Sequence, residues 1–233
     1  MYEFSLIQKI AVWALPVLFA ITVHEVAHGW VARYLGDPTA MMLGRLTLNP
    51  VKHIDPVGTI AVPLLMLLFT PFVFGWARPV PVTWENLRHP KRDMALVAVA
   101  GPAANLLMAS IWALVLKLGM VLAPDMMAVG MFLIGAAVAG IFINAVLMIL
   151  NLLPLPPLDG GRVLTGLLPG WLSWQVSRLE PYGLLLLVTL LVTGVLGSLV
   201  LPPLQFILGT FTGSAGMNPQ FLDIMLHALG LVR

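Results

Sequence analysis

Cysteine is absent from the 233 residues, so disulfides and thiolate metal sites are excluded, and imidazole and carboxylate are left as the ligands for any tightly held metal. Charge is scarce. Lys, Arg, Asp and Glu make up 9% of the chain against 60% hydrophobic residues, a balance foreign to soluble domains and suited to a bilayer. The net charge of +2 gives no basic surface, and nucleic acid is not expected as a partner. No internal repeat, low-complexity linker or stretch long enough for a soluble domain separates the apolar runs. Those runs, at about 8–31, 57–77, 94–118, 127–153 and 182–201, are each long enough to cross about 30 Å of hydrocarbon. The first lacks a basic leader and a small-residue cleavage site, and reads as an uncleaved anchor.

Near the end of the first run stands "ITVHEVAHGW", residues 21–30. His24 and His28 are four residues apart, so on a helix they lie one above the other and can reach a single ion, with Glu25 beside them. This is H-E-x-x-H, in which two imidazoles hold zinc and the glutamate takes a proton from an activated water. Ionisable groups at membrane depth cost roughly 2.5–3.5 kcal/mol each on insertion scales, which argues against an accidental match. A third ligand is needed. The candidate is Asp159, the one acid in "NLLPLPPLDGGRVL", residues 151–164. Pro154, Pro156 and Pro157 forbid a regular helix there, and Gly160 and Gly161 allow a tight turn into a new one. On the residues alone, Asp159 reads better as an ordinary helix cap.

Other polar positions have plainer readings. His53 and Asp55, in "NPVKHIDPVG", either line the approach to the metal or form an interfacial loop with His53 satisfied by water. "GRLTLNP" alternates as a short strand would, and is otherwise a connecting turn. His89 lies in a charged, proline-broken loop and receives no role. Residues 219–233 repeat their apolar positions at helical spacing around Asp223 and His227, as in an amphipathic surface helix. The thirteen methionines form no close cluster of the kind that binds copper.

Parity constrains the topology. If every run crossed, His28 and Asp159 would emerge on opposite faces; one intervening run therefore does not cross. The run at 57–77 is the suspect, because Pro63 and Pro71 interrupt it and basic residues flank both ends: Arg33, Arg45 and Lys52 before it, Arg78, Arg88, Lys91 and Arg92 after it. With that run re-entrant, Lys117 alone is left in the following outer loop, and Arg162 and Arg178 return inside. The expected fold is an all-α polytopic membrane protein with about four transmembrane helices, a re-entrant segment and a short β-like loop after the first helix.

Three motifs in order, H-E-x-x-H at His24–His28, G-P-x-x-N at Gly101–Asn105 and N-x-x-P-x-P-x-L-D-G at Asn151–Gly160, resemble those of the site-2 protease family of intramembrane zinc metalloproteases. "LGRLTLNPVKHIDPVGT" and "FGWARPVPV" resemble a compact subgroup without a PDZ domain. The resemblance implies one zinc held by His24, His28 and Asp159, Glu25 as general base, and Asn151 on the substrate backbone or the oxyanion. Asn105 is implied as a polar group near the site, and His53 remains a candidate accessory. It further implies one membrane-embedded domain over residues 1–233, with a catalytic core at about 8–168 and C-terminal helices at about 182–233. Transmembrane proteins would be the substrates, and the site would face the cytoplasmic side of the cell membrane. A zinc carrier or sensor would need a continuous polar path, for which the intramembrane acids are too few. A non-catalytic relative is disfavoured by the intact Glu25.

Overall fold

The computed structural model describes residues 4–69 and 75–232. Its first long helix, α1 (Leu6–Tyr34), opens on a capping box: the Gln8 amide donates to Ser5 Oγ at 3.3 Å, and the Ser5 amide donates to Gln8 Oε1 at 2.9 Å. It ends where Gly36 adopts φ +120°, a conformation side chains disfavour. A short α2 (Thr39–Met42) follows. Two further long helices, α4 (Pro90–Leu122) and α5 (Met127–Leu152), are joined by a four-residue turn and run antiparallel. Their closeness depends on glycine: a Cβ on Gly140 would lie 2.4 Å from the Trp112 ring, and one on Gly130 would lie 2.4 Å from Ala123. Val12 of α1, Trp112 and Leu116 of α4, and Ile134 and Ile141 of α5 form the buried centre of this three-helix unit.

The apolar segment between α1 and α4 starts with a π turn (Pro56–Ala61) that Asp55 caps, its Oδ1 accepting from the amides of Val57 at 3.0 Å and Gly58 at 2.6 Å. The turn runs into α3 (Val62–Phe69). Residues 70–74 of the expected 57–77 run lie outside the described residues. On the far side, the Trp76 amide donates to the Gly58 carbonyl at 3.0 Å and the Arg78 amide to that of His53 at 2.9 Å. The two ends of the segment are therefore side by side. With its ends adjacent the segment has the geometry that a re-entrant element needs, and the antiparallel pair α4–α5 brings Asp159 to the end of α1 that bears His24 and His28.

Two sequence expectations need correction. The β-like loop is not a strand; among the described residues there is none. Leu46 and Leu48 alternate because Leu46 packs on Gly29 of α1 while Leu48 is 58% exposed, and the local polar groups are spent on turns. Asn49 donates its amide to Thr47 Oγ1 at 3.2 Å and caps the 3₁₀ turn Pro50–His53 through its side chain. The apolar run at 182–201 is not one helix. Gly194, at φ +77°, divides α8 (Gly183–Val192) from α9 (Val195–Ser214), and the latter continues through Pro202 and Pro203. A hydropathy average cannot see a single left-handed residue.

Before these helices, α6 (Asp159–Leu167) and α7 (Gly170–Ser177) are short. Helix α9 packs on α5 through Leu204 and Leu208, and α10 (Pro219–Ala228) adds Met225 and Ala228 to the same core. Among the described residues, five helical stretches can cross a membrane by length and composition: α1, α4, α5, the α7–α8 stretch Gly170–Val192, and α9. The fold is that of a multi-pass, all-helical membrane protein.

Candidate metal centre

His24 and His28 stand one turn apart on α1, both buried, with their Nε2 atoms 3.0 Å apart. Each ring is fixed from behind by α4. His24 Nδ1 donates to Asn105 Oδ1 at 2.6 Å, and His28 Nδ1 donates to the Val97 carbonyl at 2.7 Å. Each neutral ring has one proton, and here it is committed at Nδ1, so both Nε2 atoms present bare lone pairs. Gly101 makes this approach feasible, because a Cβ there would lie 2.5 Å from His24 Cε1 and from His28 Nε2.

Asp159 arrives from the other end of the unit as the first residue of α6. Leu158, not Asp159, holds the cap position, and the aspartate makes no capping bond, so the cap reading falls away. The proline loop folds tightly over the helix start: a Cβ on Gly160 would meet the Leu153 carbonyl at 2.3 Å, and one on Gly161 the Pro156 nitrogen at 2.3 Å. Asp159 Oδ2 lies 3.3 Å from His24 Nε2 and 3.2 Å from His28 Nε2, and it has no hydrogen-bond partner.

One ligand atom from each of these three residues lies within 4.8 Å of the others. With both imidazoles in the Nδ1-protonated form, the three converging atoms are all acceptors, and a cation between them relieves their mutual repulsion. Two imidazoles and a carboxylate, with a fourth direction open to a cavity, suit tetrahedral zinc of the catalytic type.

The cavity, about 150 Å³, is lined by His24, Glu25, His28, Asn151, Asp159 and Arg162, with Pro79, Val80 and Val82 closing one side. It has room for a few waters. Glu25 Oε2 accepts from the Val80 amide at 2.7 Å, which leaves the other carboxylate oxygen free of any bond to that amide. Asn151, at the end of α5, donates Nδ2 to the Leu147 carbonyl at 2.9 Å. Arg162 lies over the Trp84 ring, 5.2 Å from its centroid.

The remaining candidates lie elsewhere. Asn105 is fully buried and faces the back of His24, so it cannot touch a substrate. His53 is not a wetted loop residue: it is 2% exposed and its Nε2 donates to the Thr47 carbonyl at 2.9 Å, away from the cavity. Asp55 is spent on the cap described above. Sequence reasoning missed Asn144, fully buried in mid-α5, whose Oδ1 accepts from Asn105 Nδ2 at 2.9 Å. Its signal was present: an amide in the middle of an apolar run needs a partner.

A zinc-type ligand set buried among helices long enough to span a membrane is the kind of centre that a membrane metalloprotease requires. The chain belongs to the site-2 proteases, matching the model of "Peptidase family M50" over residues 118–193. It is 40% identical over 211 residues to "Putative zinc metalloprotease YwhC" of Bacillus subtilis (strain 168), covering 87% of this chain and 88% of that one. It is 34% identical over 177 residues to "Putative zinc metalloprotease Rip2" of Mycolicibacterium smegmatis, with 76% of this chain and 64% of that protein covered. With the protein of that name from Mycobacterium tuberculosis (strain ATCC 25618 / H37Rv) identity is 30% over 160 residues, covering 68% of this chain and 56% of that one. No solved structure matches.

Proposed function

We propose that the protein hydrolyses peptide bonds within or near the transmembrane segments of other membrane proteins, with His24, His28 and Asp159 as the zinc ligands. The observation that carries this reading is the convergence of two imidazole nitrogens and a carboxylate oxygen beside Glu25 in a cavity set among apolar helices. Zinc, when bound, polarises a carbonyl and acidifies a water to near neutrality. Glu25 takes the proton of the attacking water on its free oxygen and passes it to the leaving amine, while the Val80 amide keeps its carboxylate aimed. Asn151 lines the same cavity and supplies an amide donor to the oxyanion by releasing the Leu147 carbonyl. The substrate helix must unwind locally, because its own hydrogen bonds cover the scissile carbonyl.

The site faces the cytoplasm in this reading. Arg33, Arg45, Lys52, Arg78, Arg88, Lys91 and Arg92 fall on the face where α1 ends and α4 begins, and the turn between α4 and α5 contains no basic residue. The test combines metal analysis with cleavage of single-span substrates by the purified protein. One zinc per chain is expected, with loss of both zinc and cleavage in His24→Ala, His28→Ala and Asp159→Ala. Full zinc content in Asp159→Ala would remove that ligand, and zinc-replete wild-type protein that cuts nothing would favour a carrier.

A further inference from the structure

Behind the zinc-facing imidazole of His24 runs a chain of amides that crosses three helices. Asn144 Nδ2 on α5 donates to the Gly140 carbonyl at 2.8 Å. Asn144 Oδ1 accepts from Asn105 Nδ2 on α4, whose other proton goes to the Ala20 carbonyl of α1 at 3.2 Å. Asn105 Oδ1 is then left for the His24 Nδ1 proton. Both asparagines are fully buried, and each link fixes the orientation of the next.

The direction of this chain decides which nitrogen of His24 is bare. A side-chain amide can rotate by half a turn with little change in shape. Were Asn105 to do so, its NH2 would face His24 Nδ1, and its oxygen would face both the Ala20 carbonyl and Asn144 Oδ1. The imidazole would then have to accept at Nδ1 and place its proton on Nε2, where the zinc lone pair is needed. His28 has no such ambiguity, because a backbone carbonyl cannot flip.

We propose that Asn144 is a positioning residue for zinc: by accepting from Asn105 it joins the Ala20 carbonyl in holding the amide in the one orientation that keeps His24 Nε2 free of a proton. It touches neither metal nor substrate. This inference rests on the assignment of His24 as a ligand, which His24→Ala tests separately through outright loss of zinc.

The experiment measures the rate of zinc transfer from the detergent-solubilised full-length holoprotein to a fluorescent chelator. Asn144→Leu, close in size but without an acceptor, is expected to release zinc about 10–100-fold faster. Asn144→Asp keeps an oxygen toward Asn105 and is expected to release it near the wild-type rate. The decisive background is Asn105→Asp, whose carboxylate offers His24 an acceptor in either orientation and has nothing to flip. There, Asn144→Leu is expected to leave the release rate unchanged or slow it, since two facing oxygens are relieved. If Asn144→Leu speeds release equally in both backgrounds, Asn144 merely packs α4 against α5; if it leaves the wild-type rate unchanged, the amide chain plays no part in holding zinc. Either result overturns the proposal.

Discussion

Gly101 and Glu25 show how little room the site has for substitution. A methyl group at Gly101 would press on both imidazoles at 2.5 Å, with α4 backbone behind it. Gly101→Ala is therefore expected to weaken zinc binding by at least about 10-fold, comparable to the loss of an outer partner of a ligand, in a competition assay. Glu25→Gln differs in kind. It keeps the shape of the side chain and leaves the three ligands alone, so zinc content should stay at one per chain while cleavage falls by about 10²–10⁴-fold, the usual contribution of a general base. Undiminished cleavage by Glu25→Gln would leave the proton-transfer scheme without a base. The cluster was legible because H-E-x-x-H places His24, Glu25 and His28 on one helix turn. Asn144 stood out only as an amide within an apolar run, and its partner Asn105 on α4 is encoded by no local spacing.

Among elements, the connection between α1 and α4 depends on one buried aspartate. Asp37 accepts from the Thr83 amide at 2.7 Å through one oxygen; through the other it accepts from the Thr39 amide at 3.0 Å, Asn86 Nδ2 at 3.1 Å and the Thr39 hydroxyl. Burial by itself would raise its carboxyl, and these donors reverse that and lower it below the usual carboxylate value. A lowered folded value means the stabilisation is present above the unfolded pKa of about 4 and fades as pH falls below that. Asp37→Asn should therefore be less stable than wild type by about 1–3 kcal/mol at pH 7, and the gap should close on acidification below about pH 4, as read by thermal unfolding in detergent. The same wall of chain, Pro79 to Val82, closes the cavity, so a loosened corner is also expected to disturb Glu25. Elements were less legible than residues here. Alternating leucines imitated a strand because one of them packs on a glycine of α1, and a continuous apolar run concealed the break at Gly194.

For the molecule as a whole, His28 and Asp159 lie far apart in sequence and meet in the structure, which an even number of crossings between them allows. The absence of native cysteine makes this directly measurable. Single cysteines at Lys52 and Arg88 are expected to label from the same side of the membrane, and one at Pro124 from the opposite side. Labelling of positions 52 and 88 from opposite faces would refute both the re-entrant segment and the charge-based orientation. What the sequence could not supply is the third dimension of the bundle: which faces of α1, α4 and α5 meet is decided by small residues such as Gly130 and Gly140, whose role emerges only against Ala123 and Trp112.

The joined ends of the re-entrant segment have a consequence for quality control during biogenesis. A nascent chain that mistook Pro56–Phe69 for a full crossing would invert every later helix, and Asp159 would emerge on the far face from His24 and His28. Such a molecule would hold an incomplete ligand set and could not assemble a hydrolytic centre. With His24, His28 and Asp159 as the ligands, correct insertion would be a precondition built into the ligand arrangement itself, and misinserted copies would be born without a complete centre.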